Sequence, residues 1–299
     1  MEQLPDVLVR GTAWGGKIRV FAARTTQLVN ELQRRHQTLP TATAAFGRTA
    51  TAAAIMGAML KGEEQLTVKV KGDGPIGQIV VDANAHGEVR GYVDNPDVLL
   101  PSNEHGKIDV AGGVGRNGYL HIIKDLGLKD PYLGSVPIIS GELGEDFTYY
   151  FAVSEQTPSA VGLGVLVEPD ATVTHSGGFI IQLLPGLTDE EITRLEQAVG
   201  SIPHVTQLLE QGETPEGILR RLVGDDLHIY DSLDLKFHCK CSKDRVEQTL
   251  ISLGVSELEQ IIEEDGKAEV VCHYCNEAYT FDREQLQELI DQAKPNLVQ

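Results

Sequence analysis

Cysteine is scarce: the 299-residue chain has four, and none lies before position 239, which is unlike the disulfide framework of a secreted protein. Cationic charge is short as well. Only 25 Lys and Arg face 44 Asp and Glu, for a net charge of −19. A field of that sign repels phosphate backbones and anionic lipid heads, so neither nucleic acid nor a membrane is expected as partner. No apolar run approaches the roughly 20 residues of a membrane span, and Met1 to Arg10 lacks the basic start and apolar middle of a secretory signal. The expectation is a soluble, cytoplasmic protein. Internal repeats and low-complexity segments are missing, and so are G-x-S-x-G, G-K-[ST] and H-E-x-x-H. His121, His175 and His204 are scattered with no paired carboxylate or serine, so no enzyme activity is expected. Gly113 to Gly118 matches G-x-G-x-x-G, but a β-rich run, Tyr119 to Lys124, follows it and no acidic residue stands near position 138. A glycine turn feeding a strand fits better than a dinucleotide loop.

What is present suits a globular α+β protein with enough length for two domains: 41% hydrophobic and 23% charged residues. Residues 1–184 alternate strand-like and helix-like runs at short intervals. Strands are expected at Asp6–Gly11 and Lys17–Ala23 around Trp14-Gly15-Gly16, then a helix over Thr25–Arg35 with Thr25 as N-cap, and an Ala-rich buried helix over Thr41–Leu60 closed by Lys61-Gly62. Leu66–Lys71, Ile76–Ala83 and Glu88–Val93 alternate apolar with polar residues and form a three-strand meander. Further strands are expected at Tyr119–Lys124, Ala160–Glu168 and Gly178–Leu184, with a helix over Leu143–Glu155.

Residues 185–231 change character. Thr188 and Glu191 make a capping box, and a second helix starts at Thr214-Pro215 and ends before Gly224. Two short amphipathic helices carry too little apolar surface for a core of their own. They must borrow packing from a neighbour, and they open at low free-energy cost.

Residues 232–299 read as a separate unit of 68 residues. Ser242 caps a helix ending at Gly254, Ser256 and Glu259 make another capping box, and a last helix from Asp282 bears Leu286, Leu289 and Ile290. Strands Lys267–Val271 and Asn276–Phe281 flank a turn carrying Cys272 and Cys275, and 30 residues separate that turn from the Cys239-Lys240-Cys241 pair. Four thiolates in two close pairs can surround one d¹⁰ Zn²⁺ ion tetrahedrally. His238 and His273 could each replace one sulfur, but four sulfurs already complete the shell. In so small a unit the metal supplies on the order of 10 kcal/mol of folding free energy. The C-x-C pair is predisposed to a local disulfide once an oxidant removes the metal's claim. Bridges within each pair close loops of one and two residues and constrain the unfolded chain very little. Oxidation is therefore expected to unfold the tail unit and to deprive the helices of 185–231 of their packing partner.

The two cysteine pairs, the helical stretch before them, and Phe46-Gly47-Arg48-Thr49, Gly72-Asp73-Gly74-Pro75 and Gly112-Gly113-Val114-Gly115 resemble the redox-regulated thirty-three-kilodalton heat-shock chaperone family over essentially the whole chain. The resemblance implies an N-terminal α+β chaperone core, a redox-sensitive helical linker and a C-terminal zinc-binding switch domain. It further implies a cytoplasmic, ATP-independent holdase that is inactive while reduced and zinc-bound. Cys239, Cys241, Cys272 and Cys275 would hold the zinc, with Cys272–Cys275 the first disulfide on oxidation and Cys239–Cys241 the second. Zinc loss and linker unfolding would then yield an active homodimer that holds unfolding clients and hands them to ATP-dependent foldases. The resemblance places the client surface broadly, on the N-terminal sheet beneath the linker and on the linker itself. Two other readings compete. An interaction module would keep its zinc unit folded in oxidant, and a thiol–disulfide oxidoreductase would use Cys272 and Cys275, although no thioredoxin-like βαβ pattern surrounds them.

Overall fold

Alternating apolar residues draw β1 (Val7–Ala13) and β2 (Ile18–Arg24) into an antiparallel hairpin, with Trp14, Gly15 and Gly16 turning through left-handed backbone. In α1 (Thr26–His36) the spacing buries Leu28, Val29 and Leu32. Its expected cap does something else. The Thr25 hydroxyl lies 2.7 Å from that of Thr51 and 2.8 Å from that of Ser176, and Asp6 caps the first turn from outside by accepting from the Leu28 N–H at 2.7 Å. Pro40 starts α2 (Pro40–Gly57), where a missing N–H costs nothing. Every residue of this helix but Arg48 is buried. It stops at Gly57 rather than Leu60, because the N–H groups of Met59 and Leu60 turn back three residues to Met56 and Gly57.

The expected meander is β3 (Gln65–Lys71), β4 (Gln78–Asn84) and β5 (Glu88–Val93). The chain continues through a single turn of helix, α3 (Val110–Val114), then β6 (Tyr119–Asp125), β7 (Tyr132–Pro137), α4 (Gly144–Val153), β8 (Ser159–Val167) and β9 (Val173–Leu183). After these come α5 (Asp189–Ser201), α6 (Val205–Glu210), α7 (Pro215–Val223), β10 (His228–Asp234) and β11 (Lys236–Phe237). Two sheets result, one of five strands in the order β10-β1-β2-β9-β8 and one of six in the order β11-β5-β4-β3-β6-β7. The main core joins α2 and α1 to inward residues of both sheets, among them Phe21, Ile180, Val68, Val81 and Ile122.

The computed structural model describes residues 4–293, and the chain divides into two units between His238 and Cys239. Residues 232–237, grouped with the tail by the sequence reading, pair instead within the sheets of the first unit: β10 lies antiparallel to β1 and β11 parallel to β5. The helices of 189–223 number three rather than two. The neighbour that they borrow packing from is the five-stranded sheet and not the tail unit that the sequence reading made their partner: Leu195, Val205, Leu208, Leu209, Ile218, Leu219 and Leu222 cluster with Trp14, Ile18, Val20, Phe179 and Ile181. The Thr188 capping box forms as expected, and Glu191, its acidic member, also meets Lys17 at 2.8 Å, which holds its carboxyl below the usual range.

Asp6 gives the first unit a measurable pH signature. Its side chain is buried and Oδ1 has no hydrogen-bond partner. Desolvation outweighs the backbone N–H bonds and pushes its pKa up to about 6 from 3.8. A raised folded-state value means that this carboxyl favours the fold below pH 4, and that the contribution is lost as pH rises through 6. About 3 kcal/mol separates the two limits. Asp6→Asn keeps an acceptor for Leu28 and removes the titration. Denaturant midpoints should therefore show Asp6→Asn gaining on the parent between pH 4 and pH 7.5; parallel pH curves would exclude the burial penalty.

In the second unit Ser242 accepts from the Arg245 N–H at 3.3 Å and starts α8 (Lys243–Leu253). Gly254 both ends α8 and begins α9 (Val255–Glu264), so Ser256 lies inside that helix and its expected capping box does not form. β12 (Lys267–Val271) and β13 (Ala278–Asp282) make the hairpin, and α10 (Arg283–Ala293) follows. The core is small. Leu250, Leu258, Ile262, Phe281, Leu286, Leu289 and Ile290 are its buried members.

Candidate metal centre

The β12–β13 hairpin builds half of the site. Cys272 donates its N–H to the Glu277 carbonyl at 2.9 Å, and the N–H groups of Cys275 and Asn276 return to the Cys272 carbonyl at 3.3 and 2.8 Å. Asn276 takes left-handed backbone (φ 57°), which asparagine tolerates better than most residues. This tight turn brings both thiols of the C-x-x-C pair to one side. The other half is the extended run Cys239-Lys240-Cys241 just before α8, where residues two apart share a side.

All four sulfurs lie within 4.8 Å of one another. Cys239 and Cys272 are 3.8 Å apart and Cys241 and Cys275 3.2 Å, and no disulfide joins any of them. A tetrahedral zinc ion with metal–sulfur bonds of about 2.3 Å has edges of about 3.8 Å, so the cage has the right size. Its chemistry agrees with its size. Cys275 is buried, and burial pushes its thiol pKa, like that of Cys241, upward. A bare thiolate is disfavoured there, and a cation is the natural means of forming one. Neither His238 nor His273 belongs to the cluster.

The sequence reading missed Tyr279. It lies on β13 two residues before the core residue Phe281, and its hydroxyl donates to the Cys241 sulfur at 3.3 Å. That bond to sulfur, more than burial, pushes the phenol pKa up. Such an outer partner orients a ligand and steadies its charge.

The other residues singled out in the sequence are dispersed. His121 stacks on Tyr119 across 5.8 Å, and burial followed by the Lys69 charge pushes its pKa down. His175 lies on β9, and His204, at the start of α6, approaches Lys107 to 2.8 Å. The Gly113–Gly118 run packs backbone on backbone. A Cβ on Gly74 would stand 2.4 Å from the Gly113 carbonyl oxygen, and one on Gly118 would stand 2.0 Å from that of Lys71. The glycines therefore serve a crossing of two chain segments, as a turn and not a phosphate cradle. Gly74→Ala should lower stability by about 3 kcal/mol, read as a shift in denaturant midpoint; an unchanged midpoint would show that the crossing yields freely.

No helix among the described residues is long and apolar enough to cross a membrane. The family model described as Hsp33 protein matches residues 6–282. The chain is 56% identical over 290 residues to a 33 kDa chaperonin of Geobacillus kaustophilus, covering 97% of this chain and 99% of that one. It is 55% identical over 287 residues to a 33 kDa chaperonin of Bacillus subtilis, covering 96% and 99%. The crystal structure of the 33 kDa chaperonin (heat shock protein 33 homolog) of Thermotoga maritima superposes with a TM-score of 0.91 at 38% identity, over 98% of this chain and all of that one. Matched along nearly its whole length in sequence and in fold, the chain belongs to the Hsp33 family.

Proposed function

We propose that this protein is an ATP-independent holdase chaperone, silent while its four cysteines hold zinc and active once an oxidant has paired them. The observation that carries the reading is the convergence of two cysteine pairs, 30 residues apart in sequence, on one cage in a unit whose hydrophobic cluster has only seven buried members. Cys239, Cys241, Cys272 and Cys275 would hold the ion, which supplies long-range cross-linking and stabilises the thiolates that the buried site disfavours. Peroxide oxidises the four thiols to Cys272–Cys275 and Cys239–Cys241 bridges. Four electrons pass to two peroxide molecules, which leave as water. Each new bond joins chain neighbours, so on the order of 10 kcal/mol of metal-derived stability is lost without replacement.

The consequence reaches the helices through the chain itself. Only His238 separates Cys239 from β11, β11 follows β10, and β10 follows α7. Release of α5–α7 uncovers Trp14, Ile18, Val20, Phe179 and Ile181 on the five-stranded sheet, an apolar face suited to unfolding polypeptides. The active form is a homodimer in the cytoplasm, and clients pass to ATP-dependent foldases when reducing conditions return. The high negative charge keeps such a protein soluble while apolar surface is displayed. The test is zinc release followed alongside suppression of client aggregation, in peroxide at elevated temperature. The two should rise together, and zinc loss without protection of clients would sink the chaperone reading.

A further inference from the structure

β10 is an unusual member of its sheet. It is the outermost strand next to β1, and none of its seven residues is fully buried. What holds it is main chain: an antiparallel ladder from Val7↔Asp234 to Thr12↔His228, with one register shift at Arg10/Gly11. The backbones come close enough that a Cβ on Gly11 would stand 2.4 Å from the His228 carbonyl oxygen. Side chains add the ion pair of Arg10 with Asp231 and the packing of the partly buried Ile229 and Leu233 against the two cores. β1 is held quite differently. It pairs along its whole length with β2, and Leu8 and Ala13 are anchored in the cores. If β10 leaves, β1 stays, and it becomes a seven-residue edge with unpaired N–H and C=O groups and an arginine that has lost its carboxylate partner while keeping its bond to the Ala58 carbonyl. Such an edge is a template for another extended chain.

Little chain separates β10 from the metal-bearing tail. Between it and Cys239 stands β11, two residues paired with β5, with Phe237 under the Arg35 guanidinium at 4.4 Å and Lys236 near Glu88 at 3.3 Å.

We propose that β1 is a strand-pairing seat for an extended segment of client polypeptide, and that β10 occupies this seat in the resting protein as an internal stand-in. The proposal rests on the oxidation-gated holdase reading above and adds how a client is gripped. Main-chain bonding makes the grip tolerant of sequence, as a chaperone requires, and alternate side chains fall on the apolar sheet face. The position opposite Arg10, filled in β10 by Asp231, favours an acidic or hydrogen-bonding client residue.

The test separates the grip from the gate by freeing β10 without oxidant. Successive strand amides point to opposite sides, so one of Ser232 and Leu233 directs its N–H at β1, and proline there removes a ladder bond. Ser232→Pro and Leu233→Pro are made singly in the full chain and studied reduced and zinc-loaded. The probe is a labelled synthetic peptide with the sequence of residues 228–234. At least one variant should bind it tenfold or more tighter than the reduced parent, with the β1 amides losing exchange protection and regaining it on peptide addition. In the unmutated, oxidised chain the same peptide should compete with a model client, and a copy N-methylated at alternate residues should not.

If both variants keep β10 protected, or if β10 opens while β1 amides remain unprotected in peptide and client, the strand seat is wrong. An oxidised parent that suppresses aggregation without yielding to the peptide refutes the seat and leaves the holdase reading intact. An oxidised parent that suppresses no aggregation refutes the gate that the proposal rests on.

Discussion

Cys275→Ser, purified under reducing conditions, is expected to carry no stoichiometric metal and to have an unfolded tail unit beside an intact first unit. Serine is a poor zinc ligand at neutral pH, and Cys275 is the most buried of the four sulfur positions. Its replacement removes an apex of the cage at the hairpin turn that sets the other thiol of the pair. What remains to hold residues 239–293 together is a cluster of seven buried side chains, while a structural zinc site contributes on the order of 10 kcal/mol in small domains. The total stability of a domain is typically about 5 to 15 kcal/mol, so the unit cannot keep its fold. Amide exchange resolves the outcome by position. β12 and β13 should lose protection by several orders of magnitude, while β3 and β4, which share the main core with α2, keep theirs. Tyr279→Phe is the graded companion: it removes the hydroxyl that donates to Cys241 and leaves four ligands, so zinc affinity should fall about tenfold to a hundredfold with the fold retained. A Cys275→Ser protein that lacks metal yet protects β12 and β13 would show that the tail needs no staple, and the proposed switch would lose its driving force.

The convergence of the four cysteines was readable because its chemistry is written in spacing. Cysteine pairs with one and two residues between their members leave few alternatives, and the strand-like runs Lys267–Val271 and Asn276–Phe281 announce the hairpin whose turn carries the second pair, the latter run forming as Ala278–Asp282. The β1–β2 hairpin, the β3–β5 meander and the Thr188 capping box were readable for the same reason, since each is made by residues close in the chain. What escaped is long-range or weakly patterned. β10 contains two aspartates and a serine, buries no residue fully, and finds its partner more than 200 positions earlier. β11 is two residues long, and α6, at six, is too short to display a helical period although Val205, Leu208 and Leu209 are buried. β7 is an edge strand with Leu133 exposed. Tyr279 belongs to no motif; strand alternation with Phe281 places it against Cys241, and only the folded hairpin reveals that. Thr25 has the residue type of a cap but is spent on Thr51 and Ser176, while Asp6, just before β1, does the capping.

Leu219→Asp should detach the linker helices without any oxidant, and it is the change with the largest expected effect on activity. Leu219 is fully buried in the cluster formed by α5–α7 and the five-stranded sheet, where an unpaired carboxylate costs several kcal/mol. The helices have 13, 6 and 9 residues, and isolated helices shorter than about 12–15 residues are marginal in water. Once undocked, they have no independent means of remaining folded. The chain's single tryptophan reports the event. Trp14 is buried, donates its indole N–H to the Val223 carbonyl at 2.9 Å, and has the Arg194 guanidinium 5.3 Å above its ring. In reduced, zinc-loaded Leu219→Asp its emission should shift to the red, an apolar dye should bind, and client aggregation should be suppressed to the level of the oxidised parent. Leu219→Ala, which costs about 3 kcal/mol through a cavity, should lie between the two. Because the mutation leaves the four cysteines untouched, zinc content must stay at one per chain, and this divides cause from consequence. If Trp14 becomes exposed with the metal in place and no client is held, the sheet face beneath the helices is not the surface that captures unfolding chains, whatever oxidation does to the tail.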